Sequence, residues 1–112
     1  MSKQRKVYYR LVTRDGLAYA DTDADCVMCS PEEDFMDLVN TVHSKNSAIL
    51  SWCTSTQLKV HPDSASLNIA NGALLKESAL GERHGNDKAQ PLLVLVPSDG
   101  PEMKRQRVAN YL

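Results

Sequence analysis

The sequence predicts an α+β fold, a mixed sheet crossed by one main helix. Three observations carry that expectation. Phe35, Leu38, Val39 and Val42 fall at i, i+3, i+4 and i+7, the apolar stripe of an amphipathic helix. Residues 7–14 are dense in Tyr, Val and Leu, which favour a pleated, half-buried strand. Pro91-Leu-Leu-Val-Leu-Val-Pro97 is the most apolar run and reads as a central strand covered on both faces.

In chain order, Val7, Tyr9 and Leu11 share one face of the first strand. Tyr8, Arg10 and Val12 share the other, and Arg10 marks it as the wetter one. Asp15-Gly16 is a hairpin turn signal, so residues 17–22 are expected to return as a second strand. Asp21, Asp23 and Asp25 resemble part of a calcium loop. No glycine or distal glutamate follows in register, so a solvated strand end is the better reading. The helix is expected from Ser30 to about Asn46. Ser30 is its N-cap, Pro31 its first residue and Glu33 the partner in a capping box.

After the helix, residues 48–53 are apolar and hold the only tryptophan, Trp52, a loop or irregular strand packed on the core. Residues 56–61 alternate, with Leu58 and Val60 inward and Gln57, Lys59 and His61 outward, which predicts a short strand. Leu67 and Ile69 are read as a short pairing or a packed loop, and Asn71-Gly72 as a turn. Residues 73–80 are rich in helix formers and precede Gly81, which predicts a short helix. Residues 82–90 form a polar loop.

A chain of 112 residues is one domain, residues 1–97, followed by a polar and basic tail over 98–112. A net charge of −1 supplies no field to attract nucleic acid, which is not expected as a partner. No apolar run approaches the ~20 residues of a membrane span, so no membrane insertion is expected. The basic start, Met-Ser-Lys-Gln-Arg-Lys, is followed by too little apolar sequence for a secretory signal. Three cysteines make no paired framework, and no N-glycosylation sequon occurs.

Cys26-Val27-Met28-Cys29 is the one motif with chemical potential. Placed before a helix N-terminus, its thiols would be acidified, as in a redox pair. A zinc site completed by Cys53, His43 or His61 is the other reading. There is no second C-x-x-C and no H-x₃₋₅-H, so ordinary cysteines are preferred and no metal or cofactor is expected. His43, His61 and His84 stand near no nucleophile motif, and no phosphate-binding glycine loop occurs, so no catalytic residue and no small-molecule substrate are assigned. Lys104, Arg105 and Arg107 form a short basic cluster, read first as a solvated tail and second as a contact site.

The order strand, turn, strand, long helix, strand, final apolar strand has a simple solution. The last strand inserts beside the first and parallel to it, which explains the long connection. That arrangement is the β-grasp, or ubiquitin-like, fold. The chain then resembles the N-terminal domain of the Crinkler effectors of oomycetes and some fungi. The likeness is carried by residues 6–12 as the opening strand and by Ala20-Asp21-Thr22-Asp23-Ala24 as the acidic segment. Residues 35–42 match the central helix, and 91–97 the closing strand. Family members carry a Leu-Phe-Leu-Ala-Lys-type motif after the helix, where this chain has Gln57-Leu58-Lys59-Val60-His61-Pro62.

The resemblance implies a non-enzymatic, ubiquitin-like N-terminal module of a secreted effector, serving translocation into host cells or protein binding within them, the nucleus included. A conjugated modifier ends in Gly-Gly, whereas this chain ends Asn110-Tyr111-Leu112, so a binding role is expected. The contact residues expected for a protein partner are Leu58, Lys59, Trp52, Lys104, Arg105 and Arg107. Two alternatives stand beside this reading. One is an intracellular, cytoplasmic ubiquitin-like adaptor with an endogenous partner. The other, less favoured, is a thiol-dependent enzyme using Cys26 and Cys29.

Overall fold

Four strands form one mixed sheet in a computed structural model that describes residues 4–69, 71–81 and 83–97. They are β1 (Arg5–Val12), β2 (Asp25–Cys29), β3 (Lys59–His61) and β4 (Leu92–Leu95), ordered β2-β1-β4-β3. β1 and β4 run parallel at the centre, with Tyr9 beside Leu92 and Leu11 beside Val94. β2 pairs antiparallel with β1 and β3 antiparallel with β4. The architecture is α+β, with one main helix, α1 (Phe35–Lys45), packed on one sheet face. A short helix, α2 (Ser47–Leu50), follows it.

The core lies between α1 and the inner sheet face. Val7, Tyr9, Leu11, Val27, Val60, Leu92 and Val94 meet Phe35, Leu38, Val39 and Val42 there, all buried. Each such side chain contributes about 1.5–3 kcal/mol through removal of apolar surface from water. The helical stripe and the central parallel strand therefore match their expectations. So do the burial of Leu58 and Val60 and the left-handed turn at Asn71 (φ 61°). The outer face is drier than Arg10 suggested at one end. There Leu67, from a 3-10 turn over Ala65–Asn68, covers Val12 and Leu95.

The second strand is the main correction. Residues 17–22 do not return along β1 beyond a single bridge, Val12 to Ala18. A 3-10 turn over Tyr19–Asp21 follows, with Ala20 and Asp21 at φ 52° and 56°, and the chain pairs again only at Asp25. The physical reason lies in register: Val27 faces Val7 on the inner sheet face, beside which Cys29 is also buried. A strand built from Ala18 and Ala20 has far less apolar surface to bury there.

The helix also starts later than Ser30. Its N-cap is Asp34, whose carboxylate accepts from the Asp37 amide at 2.8 Å while Asp37 accepts from the Asp34 amide at 3.2 Å. Two further first-turn donors are met by distant chain. Phe35 N–H donates to the Ser78 carbonyl and Met36 N–H to the Lys76 carbonyl. That use of residues 76–80 explains why 73–80 is not a helix. Its backbone groups instead serve α1, with Leu80 N–H donating to the Glu33 carbonyl and Ala79 bridging Asp34. His61, expected outward, is buried against Ser66 because the Ala65–Asn68 turn lies over it. The tail over 98–112 lies outside the described residues.

Candidate interaction surface

The expected site residues separate. Leu58 is fully buried in the core and is no partner contact. Trp52 is half-buried, and its indole N–H donates to the Tyr19 hydroxyl at 2.9 Å and the Ile49 carbonyl at 3.0 Å. It closes the sequence after α2 onto the core rather than offering a free ring. Lys59 is exposed on the outer face of β3. Lys104, Arg105 and Arg107 lie outside the described residues.

The cysteine motif is dismantled by strand geometry. Cys26 and Cys29 are three positions apart on β2, so they point to opposite faces, roughly 10 Å apart along the strand. That spacing rules out a disulfide without rearrangement of the strand. The helix N-terminus that was to acidify them begins at Phe35, beyond an intervening loop. Burial, then the nearby Glu33 carboxylate, pushes the Cys29 thiol up to about 11. Burial also raises the Cys53 thiol, whose sulfur donates to the Leu50 carbonyl at 3.4 Å. His43 donates from Nε2 to the Cys53 carbonyl at 2.7 Å, while His61 Nδ1 lies 3.0 Å from Ser66 Oγ. Among the described residues no cluster of three or more His, Cys, Asp or Glu side chains is arranged to hold a metal ion.

A thiol test follows. In native protein at neutral pH, a thiol reagent is expected to modify half-buried Cys26 first, with Cys29 and Cys53 protected until denaturant is added. Because folding raises the Cys29 pKa, its contribution to stability is full below about 9 and is lost as pH climbs through about 11. Denaturation midpoints should therefore fall across that window, and a Cys29→Ala variant should show less of the fall.

The outer sheet face is where the structure gathers unused chemistry. Lys6, Arg10 and Met28 stand exposed on it, with half-buried Tyr8, Cys26 and Leu93 between them. At its β3 end lies an open cleft of about 630 Å³. The cleft is lined by His61 and Leu95 and, opposite, by Ile69 and the segment 71–77, anchored to β3 by Leu74 N–H donating to the Val60 carbonyl at 2.7 Å. Arg14, Lys59 and Lys76 bring three cations to this cleft against one carboxylate among the described residues, Glu77. Burial, then Lys59, holds Lys76 below the ordinary lysine value, and its ammonium donates to the Thr56 carbonyl. Burial and then Lys59 likewise hold His61 below its usual value.

The His61 tautomer follows from its neighbours. Ser66 Oγ donates its one proton to the Asp63 carbonyl at 2.8 Å, so it accepts from His61 Nδ1–H. Nε2 is then a bare acceptor, buried and without a partner among the described residues. Sequence reasoning named Lys59 but missed this cleft, because its wall was expected to be a helix. The mixed signal of Ile69, Leu75 and Lys76, large side chains on no regular stripe, was the available clue.

No protein-family model matches the chain, and no curated protein matches it. Among the described residues no helix is long and apolar enough to cross a membrane.

Proposed function

We propose that this chain is a non-enzymatic ubiquitin-like module of the β-grasp type that docks a protein partner through its outer sheet face. In its biological setting it is the N-terminal module of a secreted Crinkler-type effector, acting in entry into a host cell or in binding a protein there. The observation that supports this reading is the pairing of the first and last strands, parallel and central, with α1 across one face only. A β-grasp requires that arrangement, and it leaves the opposite face available. The polar face of α1 supplies no competing surface of comparable character, with Asn40, Thr41 and Ser44 exposed there. The assignment to an effector rests on the sequence resemblance alone.

The test is affinity capture by the full chain from host-cell extract, with mass spectrometry, beside the variant Arg10→Glu/Met28→Glu. Both side chains are exposed on the outer face, so the fold survives the change. A host protein held by the native chain and by a helix-face control, Ser44→Lys, but lost by the outer-face variant, is the expected result. Equal capture by the outer-face variant sinks the assignment of the surface. Capture only from extract of the producing organism favours an endogenous adaptor instead.

A further inference from the structure

We propose that the cleft between β3 and the segment 71–77, with Ile69, binds an acidic, leucine-bearing peptide segment of a partner protein. The inference rests on the protein-docking reading above and narrows it to one site and one chemistry. Three observations converge on it. The open cleft, about 630 Å³, has room for side chains of a docked segment. Its lining is cationic, with Arg14, Lys59 and Lys76 against the single carboxylate of Glu77 among the described residues, so charge complementarity selects carboxylates. Arg14 is suited to a bidentate carboxylate pair, and Lys59 acts as a point charge at the edge.

Two large apolar side chains at the cleft, Ile69 and Leu75, are 61% and 64% exposed. Beside a charged rim they offer apolar surface that an aliphatic side chain of the partner would remove from water on docking. A peptide answers both features together: carboxylates for the cations and a leucine for Ile69 and Leu75. A free anion answers only the first.

The probe is a pool of hexapeptides, each with several Asp or Glu and one Leu, titrated into isotope-labelled full chain and followed by NMR. A matched pool carries Lys in place of the acids. The acidic pool is expected to shift the resonances of Lys59, His61, Ile69 and Leu75, and the basic pool to leave them in place. Lys59→Glu and Leu75→Asp, both at exposed positions, should each weaken binding by about tenfold or more, the equivalent of about 1.4 kcal/mol. Equal shifts from the basic pool, or from inorganic phosphate or acetate alone, overturn the peptide assignment. So does concentration dependence of the same resonances without peptide, which means that a second copy fills the cleft. If Lys59→Glu captures the same host protein as the native chain, the docking function stands and the cleft assignment falls. If the acidic pool binds in the cleft but no host protein is captured, the reverse holds.

Discussion

Gly85→Ala is expected to destabilise the protein by about 3 kcal/mol, read as a lower urea midpoint with an unchanged slope. Two costs add. Gly85 has φ +68°, where a residue with a Cβ is disfavoured by about 1–2 kcal/mol. An added Cβ also lies 2.7 Å from a Val7 methyl, 2.8 Å from the Tyr8 carbonyl oxygen and 3.1 Å from the Tyr8 nitrogen. The last two atoms belong to the central strand and cannot swing aside, and such overpacking costs about 1–3 kcal/mol. The close approach has a purpose. Tyr8 N–H donates to the Gly85 carbonyl at 2.7 Å, which extends the sheet beside β1 ahead of β4. Arg5 fastens the same stretch, donating to the Gly81 carbonyl and to Asn86 Oδ1. A variant as stable as the native chain contradicts this packing of Gly85 and its neighbours Gly81 and Asn86 against β1.

Leu38→Ala is expected to cost about 2–5 kcal/mol, a large part of the stability of any small domain. Leu38 is fully buried in the middle of the α1 stripe, against the inner sheet face. Truncation removes the transfer free energy of the lost methyl groups and leaves a cavity that a strand-backed site closes only in part. Thr41, exposed on the same helix, should tolerate Ala with a change within about 0.5 kcal/mol. If the two substitutions have similar effects, α1 is not the element that buries the sheet.

Several parts of this fold were legible because they rest on one local pattern each. The stripe Phe35, Leu38, Val39 and Val42 has the helical period, and every member is buried. The proline-bounded run 91–97 has the composition of a covered strand, and Leu92–Leu95 sits between two neighbours. Parallel pairing of the first and last strands was the simplest solution for the order of elements, and it accounts for their long connection. What failed depended on distant contacts. The turn at Asp15-Gly16 forms, with Thr13 N–H donating to the Leu17 carbonyl, but the strand expected after it stops at the Val12–Ala18 bridge, because the hydrophobic register of Val7 with Val27 outweighs it. Residues 73–80 have helix propensity, but their carbonyls are used by the amides of Phe35 and Met36, a demand visible only in three dimensions. Ser30 and Glu33 have capping-box spacing, and Asp34 and Asp37, the same spacing four residues on, hold the helix instead.

The surface was less legible than the core. Strand alternation was enough to foresee that Cys26 and Cys29 face apart, had Asp25–Cys29 been recognised as a strand. The outer face, its cleft and the buried His61 beside it arise from the crossing of β3, the Ala65–Asn68 turn and the segment 71–77. No local spacing encodes that meeting.

The central claim is that α1 is a clasp and the outer sheet face is the working surface. The direct measurement is an NMR footprint of the captured partner on isotope-labelled full chain. Attenuation at Lys6, Arg10, Met28, Lys59 and Leu75, with Asn40, Thr41 and Ser44 unaffected, is the predicted result. A footprint centred on Asn40, Thr41 and Ser44, with the outer face silent, contradicts it.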